Sequence, residues 1–178
     1  MQLSIGHVSI RDFQKEDIEN KIEWINNPEN NQFLHYDIPL NYEKTLQWFN
    51  SKDNSCRVDC VIEYDDTPVG VIGLLAINHR NRNAEYYITI GNGAYKNKGI
   101  ATKASYLILK HAFSSLDLNK VYLNVDADNV IACRLYERVG FLCEGYFRED
   151  LLRRGKLIDR KRYAFLKEQW NDEWCANG

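Results

Sequence analysis

The chain has 178 residues, 44% of them apolar, and a net charge of −2, a size that supports one domain with its own hydrophobic core. Acidic and basic residues are interspersed, which excludes the basic excess of a duplex-coating nucleic-acid binder. No apolar run nears the ~18 residues of a membrane helix, and Met1-Gln2-Leu3-Ser4 has neither the basic head nor the apolar stretch of a secretory signal.

Residues 7–12 read as a first strand, with Val8 and Ile10 on one face. Residues 14–24 and 42–49 read as helices, separated by a polar loop over 26–41 that holds Pro28 and Pro39. Residues 57–64 and 69–77 form a hairpin pattern turned at Asp65-Asp66-Thr67-Pro68, and 84–90 is a further strand. Over 99–113, Ile100, Ala104, Leu107, Ile108 and His111 mark one face of a helix. Val121, Leu123 and Val125 alternate in the next strand. Residues 130–139 read as a helix that Gly140 ends in a left-handed conformation. Residues 141–151 and 156–165 make a last hairpin, turned at Arg154-Gly155. This order implies a mixed sheet with helices on both faces. The five cysteines, odd in number and without a CxxC pair, fit reduced thiols of a cytoplasmic protein. His7, His35, His79 and His111 show no helical pairing, so no metal site is expected.

Two segments carry chemistry. The first runs Ile90-Gly91-Asn92-Gly93-Ala94-Tyr95-Lys96-Asn97-Lys98-Gly99-Ile100-Ala101, where a strand ends, a glycine-containing loop follows and a helix begins. A helix start leaves unpaired N–H groups at the positive end of its dipole, a seat for an anion. Gly99 and Ala101 are small enough for a phosphate to approach, and Lys96 and Lys98 add charge. The segment is neither GxGxxG nor GxxxxGK[ST], and an ordinary glycine-rich turn with solvated lysines is its other reading. In the second segment, Asn129 and Tyr136 stand seven residues apart. A helix puts them on one side, about 10 Å apart, where a long thin ligand can touch both. Taken singly, Asn129 reads equally as a helix cap and Tyr136 as a core aromatic.

The motif N-x-x-A-x-x-L-Y-E-x-x-G-F from Asn129 to Phe141, preceded by the Lys96-to-Ala101 loop, resembles the GNAT superfamily of N-acetyltransferases. The closing hairpin, with Gly145-Tyr146, Gly155-Lys156 and Ile158-Asp159, resembles the subgroup of ribosomal-protein N-terminal, spermidine and amino-sugar acetyltransferases. The loop departs from the family pattern Gln/Arg-x-x-Gly-x-Gly/Ala. Lys96 holds its first position, and Asn97 stands where many relatives have glycine. The resemblance implies an α/β (α+β mixed sheet) GNAT fold in a single domain. Its sheet would be mostly antiparallel, with about seven strands, a splayed central pair and four flanking helices.

It also implies acetyl-coenzyme A as acyl donor. Main-chain N–H groups of Asn97, Lys98, Gly99, Ile100, Ala101 and Thr102 would take the diphosphate, with Lys96 beside them. Asn129 would contact the pantetheine arm, and Ile88, Thr89 and Ile90 would pair with its amides like an added strand. An N–H near Ile90 would stabilise charge on the carbonyl oxygen, and Tyr136 would protonate the leaving thiolate. Glu85 is the candidate general base; its other reading is a surface carboxylate or a partner of Arg80 or Arg82. Direct transfer is expected, with Cys133 read as packing. Phe33, His35 and Tyr36 are candidate substrate-binding residues, while Trp24 and Trp48 read as core. Asp37, Glu43 and Asp65-Asp66 either attract a polyamine or are solvated. The acceptor is expected to be a small-molecule amine, such as an amino sugar or polyamine. The alternatives are a protein N-terminus, as on a ribosomal protein, and a non-catalytic acyl-coenzyme A-binding module. Expected partners exclude nucleic acid and membrane and include a second copy in a homodimer formed through the final hairpin.

Overall fold

The computed structural model describes residues 1–34 and 36–175. In chain order the elements are β1 (Gln2–Ile5), β2 (Val8–Asp12), α1 (Ile18–Asn26), α2 (Pro28–Asn31), α3 (Tyr42–Ser51), β3 (Val58–Tyr64), β4 (Thr67–Asn78) and β5 (Asn83–Ile90). They continue with α4 (Ile100–Lys110), β6 (Lys120–Asp126), α5 (Val130–Val139), β7 (Leu142–Arg153) and β8 (Lys156–Leu166). One sheet of eight strands runs β1-β2-β3-β4-β5-β6-β8-β7 among the described residues. Every pairing is antiparallel except β5 with β6.

The strand count exceeds the expected seven because β1 was unforeseen. Its four residues bury only Ile5, so no alternation marks them. The first helix opens with a 3-10 turn at Lys15–Asp17 before α1 begins. The expected 26–41 loop contains α2, which starts at Pro28 behind Asn27, whose side chain accepts from the Glu29 N–H. The first hairpin turns on Asp65 and Asp66 alone, both at positive φ. Thr67 and Pro68 already belong to β4, and Pro68 is tolerated there because it sits beside a bulge at Ile62/Glu63.

Helix α4 buries Ile100, Ala104, Leu107 and Ile108 against one face of the sheet. On the other face, Ile18 and Trp24 of α1 pack with Phe13, Val61 and Val71. Each fully buried aliphatic side chain of this kind stabilises the fold by about 1.5–3 kcal/mol.

The parallel pair at the sheet's centre is short. Strands β5 and β6 pair only at Asn83–Lys120, Ala84–Val121 and Glu85–Tyr122. Beyond that point β5 stays on β4 as far as Ile90, and β6 stays on β8 as far as Asp126. The facing edges therefore part, and each leaves main-chain groups open to the gap. Gly91 N–H donates to the Val69 carbonyl on the β4 side at 2.9 Å. Strand alternation then turns the Ile90 and Ile88 N–H groups the other way, into the gap.

Candidate active site

On the α4–α5 side of the sheet, the gap widens into a groove of about 620 Å³. Its floor is the loop before α4. Gly99 is the N-cap of α4 in the left-handed conformation, at φ 74°, and offers no side-chain cap. The N–H groups of Asn97, Lys98 and Gly99 make no backbone hydrogen bond among the described residues. Those of Ile100, Ala101 and Thr102 lie in the first turn, where a helix supplies no partner. Asn97 also has a positive φ, 62°, which asparagine tolerates better than most residues. Hence a side chain can stand at this left-handed position, which would otherwise favour glycine.

The two loop lysines behave differently from a free pair of charges. Lys98 lies over the Tyr95 ring, 4.9 Å from its centre, and is not part of the groove lining. Lys96 lines the groove, but its Nζ donates to Asn30 Oδ1 at 2.7 Å. Asn30 in turn donates to the carbonyls of Gly91 (2.7 Å) and Trp24 (3.0 Å). Lys96 thus ties the loop to α1 and α2. Trp24 is buried directly against Gly91, where an added Cβ would lie 1.9 Å from Trp24 Cγ.

Asn129 and Tyr136 both line the groove. Asn129 caps α5, its Oδ1 accepting from Ala132 N–H at 3.2 Å; its Nδ2 has no partner among the described residues. Both readings of this residue are thereby compatible, since the cap uses only the oxygen. The Tyr136 ring stands edge-on to Tyr86, with centroids 6.0 Å apart. Its hydroxyl makes no hydrogen bond among the described residues. Burial, with a smaller contribution from Cys133, pushes its pKa well above that of a free phenol. Cys133 is buried in the core.

A second cavity, of about 710 Å³, lies on the α1–α3 side. Leu34, Tyr86, Tyr87, Ile88, Thr89 and Asn124 line both spaces, which meet where β5 and β6 part. Glu85 lines this second cavity near the junction. Its partner is neither arginine: Arg82 pairs with Asp117 at 2.8 Å. Asn124 Nδ2 instead donates to Glu85 Oε1 at 3.1 Å, and Asn124 Oδ1 accepts from Arg162 Nε at 3.1 Å. Asn124 escaped the sequence reading because a polar residue among Val121, Leu123 and Val125 reads as the solvent face of a strand.

The remaining candidates divide. Tyr36 lines the second cavity, and burial first, then Asp59, push its hydroxyl up to about 12. Phe33 lines the first groove and not this cavity. His35 lies outside the described residues. Trp24 is core, as expected, whereas Trp48 also walls the second cavity. Lys21 was missed, because a lysine on an amphipathic helix reads as solvated. It is buried, with Nζ 3.4 Å from the centre of the Trp48 ring. Asp37 lines the cavity; Glu43, Asp65 and Asp66 do not. Among the described residues no cluster of three or more His, Cys, Asp or Glu could hold a metal, and no helix is long and apolar enough to cross a membrane.

Residues 7–142 match the acetyltransferase (GNAT) domain family. The chain is 29% identical over 179 residues to spermidine N(1)-acetyltransferase of Escherichia coli (strain K12), spanning 98% of this chain and 94% of that protein. It is 29% identical over 175 residues to a putative ribosomal N-acetyltransferase of Bacillus subtilis (strain 168), spanning 94% and 95%. The crystal structure of spermidine N-acetyltransferase from Vibrio cholerae in complex with CoA and spermine superposes with a TM-score of 0.85 at 25% identity, covering 92% of this chain and 97% of that one. The chain therefore belongs to the GNAT acetyltransferase family and is an enzyme that moves an acetyl group from acetyl-coenzyme A to an amine.

Proposed function

We propose that the enzyme acetylates the primary amine of a small molecule by direct attack on acetyl-coenzyme A, within one acetyltransferase domain. The observation that carries this reading is the junction of the two cavities at Tyr86–Thr89 and Asn124. A thioester threaded through one space meets an amine waiting in the other.

The diphosphate sits on the N–H groups of Asn97 to Thr102, and Asn129 Nδ2 and the open edge of Ile88–Ile90 hold the pantetheine amides. No metal takes part. The acceptor lies against Tyr36, with Phe33 at the coenzyme side of the junction. The chemistry then needs three proton and charge movements. An amine of pKa about 10.4 is about one part in a thousand neutral at pH 7, so Glu85 takes its proton, directly or through a water. The amine nitrogen attacks the carbonyl carbon, and the Ile90 N–H holds the resulting oxyanion, a donor worth about 3 kcal/mol in comparable sites. As the C–N bond forms and the C–S bond breaks, the thiolate takes the proton of Tyr136. The acetylated nitrogen, which still carries a second proton, releases it through solvent to the Tyr136 phenolate, so that the amide and the phenol are both restored, and Glu85 returns its proton to solvent.

The relatives that act on spermidine make a polyamine the first acceptor to assay. The ribosomal relative supports a second reading, a peptide N-terminus. The free thiols of Cys56, Cys60, Cys133 and Cys143 support a cytoplasmic setting. The exposed Leu142, Leu152 and Leu157 on the final hairpin support a homodimer. The discriminating assay is thiol release from acetyl-coenzyme A with spermidine, glucosamine and a peptide with a free N-terminus. Turnover of the small amines alone is expected. Turnover of the peptide alone would favour the second reading, and coenzyme binding without turnover of any amine would leave a binding module.

A further inference from the structure

We infer that the acceptor carries an anionic group, a carboxylate or a phosphate, at the end remote from its reacting amine, and that Lys21 and Arg57 seat it. This inference rests on the amine-acetylation reading and narrows its substrate class.

Lys21 is 6% exposed and lines the second cavity. Among the described residues its ammonium makes no hydrogen bond or ion pair. It lies against three rings, Trp48 at 3.4 Å, Phe13 at 5.6 Å and Tyr36 at 5.7 Å. A buried ammonium without an anion is costly, and ring faces recover only part of what water gave it. The nearby carboxylate is already committed. Asp59 Oδ1 accepts from Arg57 Nη2 and Tyr87 Oη, and Asp59 Oδ2 accepts from Arg57 Nε and Lys52 Nζ. Three cations therefore share one saturated anion. Arg57 also lines the cavity, and its Nη1 makes no hydrogen bond among the described residues. Burial, opposed by Asp59 and reinforced by Arg57 and Lys52, pulls the Lys21 pKa down to about 8; at pH 7 the side chain is still mostly charged.

The other charged residues lining the cavity lie elsewhere. Glu85 stands at the junction with the coenzyme groove, and Asp37 is exposed. Arg160 is paired with Asp150, and Lys44 is exposed. A polyamine reaching inward would bring its second ammonium against Lys21 and Arg57, and the Trp48 face that would hold it is already occupied. A carboxylate or phosphate there completes the charge and takes hydrogen bonds from Lys21 Nζ and Arg57 Nη1.

The test compares matched acceptors: cadaverine against lysine, and glucosamine against glucosamine 6-phosphate, with spermidine alongside. The first pair reports a carboxylate and the second a phosphate. The expected result is a kcat/KM at least about tenfold higher for the anionic member of one pair. Lys21→Met should remove that advantage by raising KM, Lys21→Arg should restore most of it, and coenzyme affinity of both variants should match the parent. Spermidine or cadaverine outpacing both anionic amines, or an advantage unchanged in Lys21→Met, overturns the inference while leaving amine acetylation intact. Absence of thiol release with every amine overturns amine acetylation, and this inference with it.

Discussion

Asn124 Nδ2 and Glu85 Oε1, 3.1 Å apart, join β6 to β5 just beyond Glu85–Tyr122, the last backbone pair between those strands. Arg162 Nε holds the other end of the same amide. A side-chain bond thus continues across the gap where the ladder stops, and it fixes the Glu85 carboxylate near the meeting point of the two cavities. Asn124→Ala should leave Glu85 free to rotate. We expect kcat to fall by about tenfold with coenzyme affinity retained, measured by steady-state kinetics beside calorimetry.

Glu85→Gln separates a base from a bystander by its pH dependence. Without an acceptor for the proton, the reaction depends on amine that is already neutral. The variant's rate should climb about tenfold per pH unit towards the amine's own pKa of about 10.4. The parent should be much faster at pH 7 and flatten earlier. Coincident profiles for parent and variant remove the base role.

Tyr136→Phe should lower kcat by about 10²-fold or more with little change in coenzyme affinity. Burial keeps the Tyr136 hydroxyl protonated beyond the range of a free phenol. The parent should therefore show no loss of activity from this group below pH about 10. A fully active phenylalanine variant would assign the proton to another source.

Lys21→Met should stabilise the protein at pH 7 while it damages the acceptor end. The Lys21 pKa is lowered from 10.5 to about 8 by burial, so the charged form costs the native state on the order of 3 kcal/mol. The native pKa lies below the unfolded one. Between pH 8 and 10.5 the unfolded chain holds the proton more tightly, so parent stability rises with pH across that window. Urea melts at pH 7 and pH 10 should show the advantage of the variant shrinking.

Gly91→Ala tests the joint between α1 and the end of β5. A methyl there would overlap Trp24 at Cγ and Cβ, at 1.9 and 2.4 Å. Overpacking of this kind costs about 1–3 kcal/mol, visible as a lower urea midpoint. Because Asn30 bonds both Gly91 and Lys96, weaker coenzyme binding should accompany it.

The legible parts of this molecule are those with a local signal. Helix α5 spans the expected residues because its apolar face, its Asn129 cap and its Gly140 stop are all short-range. The final hairpin likewise turns at Arg154 and Gly155, both at positive φ. Strand β1 escaped because four residues with one buried side chain carry no period. Asn124 and Lys21 escaped for a different reason. Each is a polar residue whose meaning depends on what lies across a tertiary gap: the parting of β5 and β6 for one, the Trp48 face of α3 for the other. Glu85 was visible as a carboxylate at a strand start, but its partner sits 39 positions later in the chain. No local pattern links the two.

Direct transfer at the junction between the two cavities leaves no acetyl group on the enzyme. It is tested most directly by a single turnover with enzyme in excess over acetyl-coenzyme A, quenched in time and read by mass spectrometry of both protein and acceptor. The acetyl group should appear on the acceptor's amine as free coenzyme A is released, with no acetylated protein at any time. An acetylated form of the chain that appears first and then decays as the acceptor gains the group would contradict direct transfer.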